Sequence, residues 1–300
     1  MRVVLFGQSL DYSLRVLRQL AGRVPLVGIV EAAAQVRPDS SRFRDSVKRG
    51  LGRPDLRAHA RGLGLPHFFA TRENLPSLVE FARAVRADAG AIASFPRLLP
   101  ETVINAFPHG ILNLHPSLLP NYRGPMPVLW QYHRQEQQGG VTVHYIDRGE
   151  DTGDIVAQAP APLSLDESGA AYLGRCGEIG GALLADALLA IEAGRAQRRP
   201  QRDLACPFRA RGLKRGERLL DFRNLPVART FHALQGGYNI LGQLIPEPTG
   251  LLRHFKLAPS GFDLQRTEIA PGHYGWDRAR PFIAHAEGRI FFRARPARGG

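Results

Sequence analysis

Short apolar runs alternate with amphipathic stretches in the first half of the chain, and this rhythm predicts alternating strands and helices. Val3 to Phe6 is apolar throughout, which is typical of a strand buried on both faces. Leucines recur at three- and four-residue spacing from Leu10 to Leu20 and predict a helix, and residues 25 to 30 predict a second strand. A strand, a helix and a strand in this order build a parallel sheet. The predicted fold class is therefore α/β, with a Rossmann-like, mostly parallel sheet.

The same patterns predict further elements along the chain. Helices are expected over Leu75 to Val85, Ala170 to Ile191 and Val227 to Leu234. Short strand-like or apolar runs lie at Ala89 to Ala93, Gly110 to Leu114, Val141 to Ile146, Leu219 to Phe222, Asn239 to Ile245, Leu251 to Leu257 and Ile290 to Arg295. Residues 31 to 61 contain prolines and a basic excess, and they predict a loop or irregular insert that either only connects elements or also contacts substrate.

The composition of the chain changes after the long helix predicted at Ala170 to Ile191. Residues 195 to 216 are basic, contain two prolines and show little periodicity, which is typical of a linker between domains. We therefore expect a catalytic domain over 1–197, a basic linker over 198–216 and a small β-rich, OB-like domain over 217–300.

The overall composition is that of a globular protein. The chain has 300 residues, of which 44% are hydrophobic and 22% are charged. No apolar run approaches the roughly 18 to 20 residues that a membrane helix needs. The opening MRVVLFG is interpreted as a strand and not as a signal peptide, so a cytoplasmic location is expected. The two cysteines, Cys176 and Cys206, are too few for a disulfide framework or a multi-cysteine zinc site.

The positive charge of the chain is concentrated in its last third. The formal net charge is +13; residues 198–300 hold 19 Lys and Arg against 8 Asp and Glu, whereas residues 1–197 hold 21 against 19. This asymmetry indicates either a general preference for arginine spread over solvated faces or a basic domain that attracts a polyanion or a phosphate-bearing substrate.

The densest group of chemically useful residues lies in GILNLHPSLLPNYRGPMP, residues 110–127. Asn113 and His115 sit at the end of a predicted strand with one residue between them, so both side chains point to the same side. In a parallel sheet, binding groups collect at the carboxyl ends of the strands. An amide and an imidazole side by side can stabilise an oxyanion and move a proton. The alternative is that Asn113 caps a turn while His115 packs under the prolines.

A second strand leads into an acidic loop. VTVHYI, residues 141–146, is followed by DRGEDTGD, which holds four acids and two glycines. The acids lack the alternating spacing of a hard-cation loop, so no metal site is predicted. A carboxylate of this loop would instead orient His115 and raise its pKa if the two loops meet.

Together these two segments resemble the N10-formyltetrahydrofolate-dependent formyltransferases. NLHPSLLPNYRGPMP at 113–127 and GVTVHYIDRGEDTGDI at 140–155 carry the resemblance, which covers about residues 1–195 and is strongest over 90–160. Two long motifs in the same order after a strand–helix–strand start are more specific than one short motif. The loop after Gly7 lacks the GxGxxG spacing, which disfavours a dinucleotide-dependent dehydrogenase.

The resemblance implies roles for particular residues. Asn113, His115 and Asp151 match the catalytic triad of a folate-dependent formyltransferase, an enzyme of one-carbon metabolism that uses 10-formyltetrahydrofolate as co-substrate and needs no metal. In that reaction Asn113 donates to the oxyanion, while His115, held and charged by Asp151, assists proton transfer. His144 matches a further family histidine, with packing in its strand as an equal alternative.

The resemblance also implies binding residues. Those expected to hold the folate are Phe95, Arg97, Leu98, Leu99, Thr152, Gly153, Asp154 and Ile155. Those expected near the acceptor substrate are Gly7, Ser9, Ser117, Leu118, Pro120 and Trp130. Pro120, in a cis peptide, would fix the shape of its loop, whereas Trp130 either lines a pocket for a small amine or packs its helix against the core.

The acceptor amine remains open between two classes at this point. The length, the basic linker and the basic tail favour an enzyme like methionyl-tRNA formyltransferase. The insert, however, lacks a glycine- and lysine-rich stretch, and LQGGY at 234–238 stands where the tRNA enzymes tend to have Pro-Trp-Pro. A nucleotide-linked amino sugar or another small amine is the alternative acceptor. A catalytically inactive relative that binds RNA or a ligand is a third possibility, disfavoured because all three triad residues are retained.

Overall fold

The computed structural model describes residues 1–33, 55–164, 167–201, 204–214, 217, 219–237, 240–247, 252 and 254–296. The chain divides into two compact units. The first contains Met1–Pro125, Gln138–Pro162 and Leu173–Arg209, and the second contains Met126–Gln137, Leu163–Tyr172 and Ala210–Gly300. The boundaries expected at 197 and 216 stay a prediction.

A mixed, mostly parallel sheet forms the centre of the first unit. Its strands are β1 (Val3–Gly7), β2 (Leu26–Ala32), β3 (His67–Ala70), β4 (Ala89–Ala93), β5 (Ile111–His115), β6 (Gly140–Tyr145) and β7 (Ile155–Pro160). Their order is β3-β2-β1-β4-β5-β6-β7. β1 to β5 pair in parallel, whereas β6 is antiparallel to both β5 and β7. The α/β fold class with a Rossmann-like sheet is confirmed.

Helices connect the parallel strands, as the hydrophobic periodicity requires. The described helices, in chain order, are α1 (Asp11–Leu20), α2 (Leu56–Gly62), α3 (Leu78–Ala84), α4 (Glu101–Ile104), α5 (Pro127–His133), α6 (Gly169–Glu192), α7 (Val227–Gly236) and α8 (Leu241–Leu244), with a 3₁₀ turn at Leu75–Ser77. None of the helices in this described part of the chain is long and apolar enough to cross a bilayer. One face of the sheet is covered by a core that includes Val4, Phe6, Val30, Ile92 and Ile111.

Several predicted elements differ from the observed ones. The insert expected over 31–61 falls largely on residues 34–54, which lie outside the described residues, but its end forms α2. Asp55 caps this helix by accepting a hydrogen bond from Ala58 N at 2.9 Å, a start signal that the loop prediction overlooked. The His67–Ala70 and Ile155–Pro160 strands were also not predicted.

The second unit contains a four-stranded antiparallel sheet. Its strands are β8 (Phe255–Asp263), β9 (Tyr274–Asp277), β10 (Arg280–His285) and β11 (Gly288–Pro296), in the order β8-β11-β10-β9. The small β-rich domain is confirmed. The strand-like run at Asn239 to Ile245 is wrong, because its apolar residues form α8, with Leu244 buried in the core of this unit. Leu219 to Phe222 forms no strand but supplies Leu220 and Phe222 to the same core.

Candidate active site

The candidate site begins at the carboxyl end of β5, in the first unit. Asn113 and His115 both belong to this strand, one residue apart. Antiparallel β6 pairs His144 with Asn113 and Thr142 with His115. The register therefore brings a second histidine beside the first, in a strand that is buried along its whole length.

Asp151 joins these side chains from the acidic loop. Its Oδ1 accepts a hydrogen bond from Asn113 Nδ2 at 3.3 Å, and its Oδ2 accepts one from the backbone N–H of Gly124 at 2.8 Å. Oδ2 lies 3.5 Å from His115 Nδ1, and Oδ1 lies 3.5 Å from His144 Nε2. The three residues expected to act together thus lie together in the fold. Asp151 has a φ of 55°, an uncommon backbone conformation that holds its side chain toward them.

The hydrogen bonds assign protons to both histidines. Nδ1 of His144 lies 2.8 Å from the carbonyl of Tyr145 and donates to it, so Nε2 is free to accept from Asn113 Nδ2 at 3.0 Å. Nε2 of His115 lies 2.9 Å from the carbonyl of Tyr122 and donates to it. The basic nitrogen of a neutral His115 is therefore Nδ1, which faces Asp151.

Burial sets the charge states of the site. Burial lowers the pKa of His115, and this effect outweighs the opposing attraction of Asp151. Asp151 thus raises the pKa of His115, but burial outweighs this effect and favours the neutral imidazole in the resting protein. That Asp151 holds a charge on His115 during the reaction stays a prediction. Burial raises the pKa of Asp151, but the neighbouring imidazoles of His115 and His144 and the hydrogen bond from the Gly124 N–H together lower it well below its ordinary value. The carboxylate is therefore ionised at pH 7.

Several supporting residues of this site escaped the sequence analysis. Tyr122 and Gly124 contribute backbone groups, which no side-chain motif reveals, although both lie within the quoted NYRGP segment. His144 contacts Asn113 directly, so its role is more than strand packing. Gln201 contacts the Asp151 loop from a segment interpreted as a linker.

The loop expected to bind folate follows β4. The Phe95 ring packs edge-on against Phe6 with the centroids 5.6 Å apart, and Leu99 is buried. Arg97 donates to the carbonyl of Ala33 at 2.6 Å. Leu98 is 65% exposed and projects into solvent. The folate-binding role of the four predicted residues stays a prediction.

The acidic loop forms one wall of an open cleft of about 490 Å³. Gly153 and Asp154 line the cleft, together with Ile104 and Ile146. Thr152 instead turns inward and donates to Asp147 Oδ1 at 2.7 Å, which closes the loop on itself, and Ile155 begins β7. The residues that line the cleft are mixed in character, and they include neither Asn113 and His115 nor any of Phe95, Arg97, Leu98 and Leu99.

Five of the six residues expected near the acceptor lie in two places within the first unit. Gly7 ends β1, and Ser9 beyond it donates to Glu31 Oε1 at 2.6 Å. Ser117 donates to the carbonyl of Asn121 at 2.8 Å, while the Leu119–Pro120 peptide is cis, as the resemblance implied.

Leu118, in the same loop, packs against Gly140 of β6, where an added Cβ would lie 2.4 Å from its side chain. Trp130 belongs to α5 in the second unit, where it is buried and its Nε1 donates to the carbonyl of Arg211 at 2.8 Å. These contacts agree with the packing alternative for Trp130.

Comparison with known proteins places the chain in a family. The sequence signature of the family described as "Formyl transferase" matches residues 27–188. The chain belongs to the formyl transferase family. The matched range contains Asn113, His115 and Asp151.

Curated proteins similar in sequence to this chain are named as methionyl-tRNA formyltransferases. A methionyl-tRNA formyltransferase of Syntrophus aciditrophicus is 34% identical over 172 residues, which cover 57% of this chain and 54% of the relative. One of Listeria monocytogenes is 28% identical over 294 residues, which cover 97% of this chain and 89% of the relative. The chain spans about half the length of the first curated relatives that it matches.

Among solved structures, the fold resembles that of an N-formyltransferase from Helicobacter canadensis in complex with folinic acid and dTDP-3-aminofucose. The TM-score is 0.63 at 15% identity, with 98% of this chain and 100% of the other covered. At this identity the likeness establishes the shared fold.

Proposed function

We propose that this protein transfers a formyl group from 10-formyltetrahydrofolate to a primary amine. The observation that carries the proposal is the meeting of Asn113, His115 and Asp151 at the end of β5, within the range that matches the formyl transferase family. These groups supply an oxyanion donor, a base and an anion, which acyl transfer to an amine requires.

Asn113 is the proposed oxyanion donor. Its Nδ2 donates one proton to His144 Nε2 and the other to Asp151 Oδ1 in the structure, and in this proposal the longer, 3.3 Å bond to Asp151 gives way to the developing oxyanion. His144 holds the amide in this orientation, because its Nε2 accepts only from the NH₂ side. The amine nitrogen attacks the formyl carbon, and negative charge collects on the oxygen that Asn113 then stabilises.

His115 is the proposed proton carrier. As a neutral imidazole it takes a proton from the amine as the new C–N bond forms, and it delivers that proton to the folate nitrogen when the tetrahedral intermediate collapses and the old C–N bond breaks. The imidazolium that forms in between lies against Asp151, whose carboxylate is 3.5 Å from His115 Nδ1. Asp151 thus stabilises a charge that exists only during the reaction, which lowers the barrier and not merely the ground state.

The folate is proposed to bind between the loop that follows β4 and the acidic loop. Phe95, Arg97, Leu98 and Leu99 form one side in this proposal, and residues 152–155 form the other. Support comes from the position of residues 152–155 in the acidic loop, directly after Asp151. The open cleft that Gly153 and Asp154 also line does not extend to Phe95, Arg97, Leu98 or Leu99. Folinic acid in the Helicobacter canadensis protein is a formylated folate on the same fold.

The acceptor is proposed to be the amine of a charged initiator tRNA, with a nucleotide-linked amino sugar as the alternative. The relatives named as methionyl-tRNA formyltransferases support the first, and the arginine-rich residues 198–300 suit the phosphates of either acceptor. The dTDP-3-aminofucose of the structural neighbour motivates the second. The cytoplasmic location expected from the sequence stays a prediction.

The test is an acceptor panel with 10-formyltetrahydrofolate, followed by the release of tetrahydrofolate. We expect release with methionylated initiator tRNA, and loss of at least three orders of magnitude in turnover for His115→Ala, with folate binding retained. The exposed His273 provides the control variant His273→Ala, which should retain activity. Turnover only with a dTDP-amino sugar would select the alternative acceptor. No turnover with any acceptor, together with salt-sensitive tRNA binding, would indicate a binding protein and refute the proposal.

A further inference from the structure

A segment after β7 and α6 crosses both loops of the candidate site. We define this segment, residues 199–201 and 204–209, as the strap; all of it belongs to the first unit. At one end Arg199 and Ile155 exchange backbone hydrogen bonds of 2.8 and 2.9 Å, beside the acidic loop. At the other end Phe208 accepts from Tyr122 N at 2.8 Å, and its ring packs against the Tyr122 ring. The strap thus joins the two loops that hold His115 and Asp151.

Gln201 is the centre of the strap. Its side chain is buried, with 1% of the residue exposed. Nε2 donates to the backbone carbonyls of Asp151 at 3.2 Å and Gly153 at 2.6 Å, so both amide protons are used on the acidic loop. Its Oε1 accepts from the Arg123 guanidinium at 2.9 and 3.2 Å, and its backbone carbonyl accepts a further bond of 3.1 Å.

Arg123 and its neighbours connect these contacts to the reacting groups. Arg123 lies between Tyr122, whose carbonyl accepts from His115 Nε2, and Gly124, whose N–H donates to Asp151 Oδ2. A single buried amide therefore ties the backbone of Asp151 to the loop that orients both His115 and the Asp151 carboxylate. Both Tyr122 and Asp151 have positive φ angles, 62° and 55°, which cost free energy and persist only if neighbouring contacts hold them.

We propose that Gln201 is a positioning residue for the reaction: its carboxamide fixes the distance between Asp151 and His115 without touching substrate. This inference rests on the proposed function for its kinetic consequence, but its geometric consequence does not depend on that function. A buried amide whose four bonds all go to these two loops has no donor left for a ligand. A change of about 1 Å in the position of a reacting group costs on the order of 100-fold in rate.

Two substitutions distinguish the contribution of the Gln201 Nε2 donor from that of the Oε1 acceptor. Gln201→Ala removes all side-chain contacts. Gln201→Glu keeps the shape and the oxygen for Arg123, but a carboxylate cannot donate to the Asp151 and Gly153 carbonyls. The matched control is Gln131→Ala, because Gln131 is also 1% exposed and also donates to a backbone carbonyl, that of Pro127 at 3.1 Å, in the second unit.

Three readouts are compared in the full-length protein: kcat, the KM for 10-formyltetrahydrofolate, and the pH titration of the His115 imidazole by ¹⁵N NMR. We expect both Gln201 variants to lose about 10- to 100-fold in kcat, with KM changed by less than about threefold. The titration midpoint of His115 should move in both variants. Gln131→Ala should retain kcat within about twofold and leave the His115 titration unchanged. This should hold even if its melting temperature falls as far as that of the Gln201 variants.

Equal kcat in Gln201→Ala and Gln131→Ala, with an unchanged His115 titration, would overturn the inference. If the wild-type protein forms no product with any acceptor, the proposed function fails, whereas the His115 titration still decides whether Gln201 positions the pair. If neither Gln201 variant folds, Arg123→Lys takes their place, because it loosens Gln201 from one side while the bonds to Asp151 and Gly153 remain. A wild-type His115 titration in that folded variant would equally overturn the inference.

Discussion

Replacing Asp151 by asparagine tests the charge that the mechanism assigns to this side chain. The substitution keeps the size of the side chain and an oxygen for the Gly124 N–H at 2.8 Å, but it removes the negative charge beside His115 Nδ1. The side chain is only 15% exposed, so solvent screens the lost charge weakly. Because His115 is neutral at rest and charged only during proton transfer, the loss falls on the transition state.

The expected magnitude follows from the geometry. Unit charges about 4 Å apart at an effective dielectric constant near 20 attract each other by about 4 kcal/mol. The Asp151 Oδ2 and His115 Nδ1 atoms are 3.5 Å apart, so this value applies. Since about 1.4 kcal/mol corresponds to a tenfold change in rate, Asp151→Asn should lower kcat by about three orders of magnitude.

The assay is single-turnover formyl transfer with the acceptor found in the panel, accompanied by a measurement of folinic acid binding. Binding should stay close to that of the wild type. Asp55→Asn is the matched control, because Asp55 is also buried but caps α2, where asparagine caps equally well. A kcat for Asp151→Asn within about tenfold of the wild type would show that less than about 1.4 kcal/mol depends on this charge, and would refute the electrostatic argument.

Three further predictions concern protonation and packing. The NMR titration of His115 should have its midpoint below the ordinary histidine pKa, because burial lowers the pKa of this imidazole. The neutral form of His115 is then lost only as the pH falls through the lowered pKa. A midpoint above about 6.5 would contradict this prediction. Gly153→Ala should lower the free energy of unfolding by about 1 to 3 kcal/mol in chemical denaturation, because the new Cβ would lie 2.0 Å from the carbonyl oxygen of Tyr145. The control Gly62→Ala should not destabilise the protein, because no atom lies within 4 Å of its new Cβ. Trp130→Phe should lower the free energy of unfolding by about 1 to 2 kcal/mol, because the hydrogen bond to the Arg211 carbonyl is lost, and it should leave the KM for the acceptor unchanged. A raised KM without a loss of stability would instead indicate that Trp130 binds the acceptor.

The sequence by itself determined the fold class, five of the seven strands of the first sheet and the common side of Asn113 and His115, because these depend on local patterns. Continuous apolar runs such as Val3 to Phe6 and Ala89 to Ala93 form strands wherever helices bury them on both faces. Asn113 and His115 share one strand, so their alternation alone puts them on the same side. The predictions failed where the pattern was short or ambiguous, as at Asn239 to Ile245, whose apolar residues suit a helix and a strand equally well.

Only the tertiary structure decided which groups contact His115 and Asp151 and in which direction the pKa of each is shifted. Backbone atoms of Tyr122 and Gly124 orient His115 and Asp151, and a backbone atom has no signature in a sequence. Gln201 lies 50 positions from Asp151 in a segment with the composition of a linker, so only the fold brings its amide to that loop. The neutral state of His115 follows from burial, which depends on the whole packing of the first unit and not on its neighbours in the chain.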